Sequence, residues 1–91
     1  MEIEQSYCDK HGKEITEFAL LKFFHFKGVN RQGRGRKNYY IYKWVRLYEF
    51  NGKMYWVALH LLDSRGDYFH LRTVAGKDRV VDCEIIQDTN Y

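Results

Sequence analysis

The sequence predicts a mainly β fold, a small antiparallel meander of four to five strands, and three observations lead there. Asn51-Gly52 separates two long runs rich in aromatic and β-branched residues, and this dipeptide supplies the two positive φ angles of a type I′ hairpin turn. Two further glycine-containing turns, at residues 63–67 and 75–78, divide the rest of the chain into short runs of strand length. Aromatic residues make up 18% of the chain and hydrophobic ones 45%, enough for a folded core. At 91 residues the chain is one domain, 1–91, with no room for a second.

Residues 1–14 form a polar N-terminal segment containing Cys8-Asp-Lys-His11-Gly12. Residues 15–27 satisfy two templates. As a helix they would start at the N-cap Thr16 and stop at Gly28, giving an α+β alternative in which this helix packs on a four-stranded sheet. The apolar residues of such a helix would surround its axis, which does not suit the surface of a small domain. As a strand they place Phe18, Leu20, Phe24 and Phe26 on one face, and Ala19, Leu21, Phe23 and His25 on the other. The Phe-Phe-His-Phe cluster favours the strand.

Residues 28–38 then read as a basic loop rich in glycine, and residues 39–86 as the antiparallel meander. With Asn51 and Gly52 as the two loop residues, the numbers of facing residues sum to 103. One hairpin face then carries Ile41, Val45, Leu47, Trp56, Ala58 and Leu62. The other carries Tyr40, Tyr42, Trp44, Tyr48, Tyr55, Val57, Leu59 and Leu61, with Arg46 and Phe50 among them. Both faces are apolar or aromatic, so either both are covered or one aromatic side is kept for a ligand. Residues 68–74 are expected as a third strand, and residues 79–86 as the last, joined to it by a turn at Gly76-Lys77. A long irregular loop followed by successive tight hairpins resembles the layout of small SH3-like barrels, and that resemblance implies binding of nucleic acids or peptides.

Charge is distributed unevenly. Residues 1–30 hold four Lys/Arg against five Asp/Glu, residues 47–91 five against seven, and residues 31–46 six basic groups with no acid. All the excess positive charge therefore lies in the loop and the first hairpin strand, where it attracts polyanions whatever the global charge of +3. Arg31, Arg34, Arg36 and Lys37 are spaced by glycine or polar residues, which lets backbone approach a phosphate strand while guanidinium forks reach its oxygens. Tyr40, Tyr42, Trp44 and Arg46 come next, interleaving rings that can stack on unpaired bases with cations that track a backbone. The expectation is a module that binds RNA or single-stranded DNA. The alternative is a small accessory or inhibitor protein that docks the same aromatic and Arg-rich face on a larger protein partner.

Cys8 and His11 have the spacing of half a zinc knuckle, and a Gly76-Lys77 turn would place His70 opposite Cys83. Cys8, His11, His70 and Cys83 thus form a candidate structural zinc set, with His60 as a substitute if a turn at residues 64–66 sets it against His70. No P-loop, dinucleotide fingerprint or HExxH occurs, so a catalytic role lacks its usual supports. The apolar runs are far shorter than the roughly 20 residues a membrane helix needs. The acidic, polar N-terminus does not read as a signal peptide, and the expected location is the cytoplasm. A homodimer through an open edge strand or the aromatic face completes the expected partners.

Overall fold

A computed structural model describes residues 2–29, 36–61 and 67–87, with backbone alone for 25–29 and 36–39. Its strands are β1 (Glu2–Ile3), β2 (Leu20–Val29), β3 (Arg36–Phe50), β4 (Lys53–Leu59), β5 (Tyr68–His70) and β6 (Cys83–Gln87). They form one mainly β, curled open sheet, a half-barrel in the order β1-β4-β3-β2-β6 with β5 also beside β4. Residues 15–27 therefore hold no helix, and the strand alternative stands, shifted to begin at Leu20.

The β3–β4 hairpin is set by its turn. Asn51 and Gly52 take φ values of 52° and 81°, and the register runs from Trp44↔Leu59 to Phe50↔Lys53, as a two-residue type I′ loop requires. Inward-facing Val45, Trp56 and Ala58 meet Ala19, Leu21 and Phe23 of the β2 segment, and Tyr7, Ile15, Leu71, Val81 and Cys83 close the core over them. On the opposite side of β4, Val57 and Leu59 are also fully buried. His70 and Tyr68 of β5 face them across the ladder.

The last strand departs from the expected meander. Residues after His70 turn through two 3-10 segments, Leu71–Thr73 and Lys77–Arg79, and β6 pairs with β2 at the far side of the sheet. His70 consequently lies opposite Val57, and Cys83 opposite Phe23. The hairpin that would have paired His70 with Cys83 does not form, because β6 instead covers the open edge of β2 and curls the sheet around its core. The β4–β5 register likewise sets Val57, rather than His60, against His70.

Three carboxylates stand in for missing strand partners. Glu4 sits between β1 and β5 on the edge of β4, where its Oε1 accepts from the Trp56 backbone N–H at 3.0 Å. Glu17 accepts the Leu47 N–H at 3.0 Å through Oε2, beyond the point where β2 stops pairing with β3. Asp9 reaches the outer edge of β6, its Oδ2 accepting from Ile85 N at 3.1 Å, while Lys10 N donates to Cys83 O at 2.8 Å. Each bond satisfies a backbone donor that would otherwise be left without a partner. The dimer expected through an open edge finds these groups of β6 already engaged.

Past this body the sheet narrows. β6 accompanies β2 only through Phe23, and β4 accompanies β3 only from Trp44 onward. The remaining residues of β2 and β3 pair with each other as far as Gly28↔Lys37 and Val29↔Arg36, making a two-stranded arm. The arm is kinked by a bulge at His25, the extra residue between the Phe24↔Tyr40 and Phe26↔Tyr39 pairs. Its projection accounts for extents of 53 × 27 × 27 Å and a radius of gyration of 14.7 Å, against about 12 Å for a compact chain of this length. Residues 28, 29 and 36–38 of the basic loop expected at 28–38 are thus strand, and the rest of it lies outside the described residues. A ladder uses main-chain groups, and glycine residues or arginine side chains do not prevent it.

Candidate functional site

The candidate site begins where the arm leaves the body. Strand alternation puts Lys22 and Phe24 of β2 on the same face as Tyr40 and Tyr42 of β3, since Lys22 pairs with Tyr42 and Phe24 with Tyr40. Phe24, Tyr40 and Tyr42 are 48%, 41% and 47% exposed, high values for large rings on a sheet. Phe24 and Tyr40 meet edge to face with centroids 6.1 Å apart, and Lys22 Nζ lies 4.2 Å from the centre of the Tyr40 ring. These contacts hold the rings upright and place a cation among them. A shallow cleft beside the pair is lined by Lys10, Lys22, Phe24, Tyr40, Asp82 and Glu84.

The same face changes character along β3. Tyr48, Phe50 and Tyr55 gather with Tyr68 and His70 of β5, with ring separations of 5.3 to 6.0 Å. This cluster lies beside the buried Val57 and Leu59, so that end of the face is packing surface. Of the hairpin's aromatic face, one end is covered and the end at the arm is bare.

The residues singled out from the sequence divide accordingly. Tyr40 and Tyr42 are exposed, whereas Trp44 is half-buried. Arg46 donates from Nε to Glu17 Oε2 at 3.2 Å and stacks over Phe18 with its guanidinium carbon 5.0 Å from the ring centre. Phe18 itself has φ 72°, a strained value for a bulky residue, and its N–H bond to Val45 O at 2.7 Å together with the Arg46 contact holds it there. Arg46 therefore braces the entry to β2. Arg46→Ala is expected to cost about 1 kcal/mol of stability, measured by urea unfolding, while changing oligonucleotide affinity less than twofold.

Arg36 and Lys37 open β3 on the arm, with only their backbone described, and Arg31 and Arg34 lie outside the described residues. Lys22 and Phe24 were not singled out from the sequence. Their signal was the strand alternation of residues 20–24, legible as a face but not as a bare one.

The proposed zinc set does not assemble. His70 belongs to the ring cluster, with its Nδ1 buried and without a hydrogen-bond partner among the described residues. His11 is exposed and pairs with Glu84 at 3.1 Å, and Cys8 is bridged to Glu14 and Val80. Cys83 is only 2% exposed within the core, and burial, reinforced by Asp9 and Asp82, pushes its thiol up to about 12. A thiol so raised is neutral near pH 7 and neither a ready metal ligand nor a nucleophile. Among the described residues no three His, Cys, Asp or Glu side chains are grouped to hold a metal ion.

Among the described residues no helix is long and apolar enough to cross a membrane, and the only helical turns are the two short 3-10 segments. Comparison of the chain with protein-family models, curated proteins and solved structures finds no match in any of them.

Proposed function

We propose that this protein binds single-stranded nucleic acid, RNA or DNA, along the base of its two-stranded arm. The observation that carries this reading is the bare trio Phe24, Tyr40 and Tyr42, grouped around Lys22 next to the segment that holds all the chain's excess positive charge. Exposed rings offer stacking platforms to unpaired bases, and the adjoining Arg31, Arg34, Arg36 and Lys37 supply the cations a phosphate backbone needs. The described residues carry no α-helix that could enter a major groove, which favours readout by stacking.

Salt dependence tests the electrostatic part. Wild type and an Arg34→Ala/Arg36→Ala variant are titrated with a fluorescent single-stranded oligonucleotide over a range of salt concentrations. Removing two phosphate contacts is expected to reduce the slope of log affinity against log salt by about 1.4. Superimposable curves would remove the arm from the mechanism. A partner retained after nuclease treatment in a pull-down, with no oligonucleotide bound by the pure protein, would replace this reading with protein docking.

A further inference from the structure

The end of the sheet remote from the arm gathers a second set of cations. A cleft of about 670 Å3 is lined by Lys53, Tyr55, Arg72 and Arg79 together with N-terminal residues including Glu2 and Glu4. Arg72 and Arg79 also wall an adjoining hollow of about 260 Å3, alongside Tyr7, Gly76 and the acid Asp78. Ten residue steps of β3 run from Tyr40 to Phe50, which pairs with Lys53, so along the extended strand Lys53 lies about 33 Å from Tyr40.

Each cation is held over a ring. Lys53 Nζ and the Arg72 guanidinium carbon are both 5.5 Å from the centre of Tyr55, and the Arg79 guanidinium carbon is 5.5 Å from that of Tyr7. Arg79 also donates from Nη1 to the Tyr7 hydroxyl at 3.1 Å, and that hydroxyl donates to Glu4 Oε2 at 2.7 Å. The relay fixes the Arg79 side chain. Burial, with Glu4 beside it, pushes Tyr7 up to about 12, so the hydroxyl keeps the proton it donates.

Among the described residues, no acid of the cleft is in direct contact with these cations. Glu4 is 9% exposed, and its two oxygens are engaged by the Trp56 N–H and the Tyr7 hydroxyl. Glu2 is exposed at the rim, beside Lys53 in the parallel β1–β4 pair. Among the described residues Lys53, Arg72 and Arg79 are in no ion pair. Glu2, Glu4 and Asp78 offset part of the local charge, but none of them engages the three cations directly, and an anion seated between the cations can.

We propose that this cleft is a phosphate-binding site, in which Arg72, Arg79 and Lys53 take a phosphate monoester or pyrophosphate group. Two guanidinium forks and an ammonium supply more donors than a single carboxylate can use, and they match the oxygens of phosphate. The site is separate from the arm and does not depend on the function proposed for it. Its ligand is a phosphate group, either free in solution or at the end of an oligonucleotide.

The test uses the full chain in chloride buffer, titrated with inorganic pyrophosphate and followed by calorimetry and by the thermal unfolding midpoint. Saturable binding and a rising midpoint are expected, because a ligand of the folded state stabilises it. Arg72→Gln, whose side chain leaves the Tyr7 relay intact, is expected to weaken binding about tenfold or more. Glu2→Gln should strengthen it a few-fold by removing the rim acid, and Arg34→Ala/Arg36→Ala should leave it unchanged. A strengthened Glu2 variant is a result that loss of folding cannot mimic. The source of the phosphate is read from oligonucleotides with and without a 5′-phosphate. A preference for the phosphorylated form that Arg72→Gln abolishes assigns the polymer end, and equal binding of the two with pyrophosphate still retained assigns a free ligand. No saturable pyrophosphate binding, or binding equal in wild type and Arg72→Gln, overturns the proposal.

Discussion

Tyr40→Ala/Tyr42→Ala is expected to weaken single-stranded oligonucleotide binding at least about 30-fold, since each stacked ring contributes about 1–3 kcal/mol. Stability should change by about 1 kcal/mol or less, because both residues are exposed and the contacts removed are chiefly those of Tyr40 with Phe24 and Lys22. The informative contrast is Tyr48→Ala. Tyr48 occupies the same strand face, but its ring meets Tyr68 at 5.4 Å within the covered cluster. That variant should unfold at lower denaturant concentration and bind like wild type. Equal affinities for wild type and the Tyr40/Tyr42 variant would leave the bare rings without the role assigned to them.

Asp9→Ala is expected to be the most damaging single substitution of a polar residue, costing about 3 kcal/mol. Asp9 is 2% exposed, and its carboxylate accepts from three backbone N–H groups: His11 at 3.0 Å, Lys13 at 2.9 Å and Ile85 at 3.1 Å. Two of these bonds close the turn at residues 9–13, and the third fastens that turn to β6. Alanine leaves three part-buried donors without this acceptor. In a domain of this size the loss corresponds to a midpoint lowered by roughly 12–24 °C in a thermal scan.

The pH dependence has its origin in the same geometry. Burial opposes the charge on Asp9, but the three N–H donors, helped by His11, outweigh it and hold the carboxyl below its ordinary value of 3.8. The unfolded chain therefore binds a proton at higher pH than the folded one. The stabilisation is complete above about pH 4 to 5 and is lost as pH falls through the lower folded value. Acid unfolding of wild type should begin in that range, and Asp9→Ala should lose less of its remaining stability there. Parallel acid titrations of the two proteins would exclude Asp9 as a source of the acid sensitivity.

Much of the middle of this fold was legible in the chain because its determinants are local. Asn51-Gly52 carries its own turn, the turn sets the register that sums to 103, and the register assigns faces by alternation. The same alternation placed Ala19, Leu21 and Phe23 on one face, and the structure shows that face to be the buried one. The misreadings fall where a strand chooses a distant partner. Nothing near Cys83 indicates that it pairs with Phe23, sixty residues earlier, rather than with the neighbouring turn, and the zinc set fell with that choice.

The candidate site divides along the same line. The clustering of cations at residues 31–46 and the presence of tyrosines beside them belong to the sequence itself, because charge and ring chemistry are carried by the residues wherever they go. Which rings are bare was decided by tertiary structure: β5 brings Tyr68 and His70 against one end of the hairpin face, and the bases of β2 and β3 leave the body with the other end uncovered. Arg46 is paired with Glu17, and Glu4 and Asp9, unremarkable acids in a polar segment, became edge-closing acceptors. Turn geometry and alternation act over a few bonds and can be read in order, whereas exposure is a property of what else arrives at a surface, and that is fixed only when the sheet curls around its core.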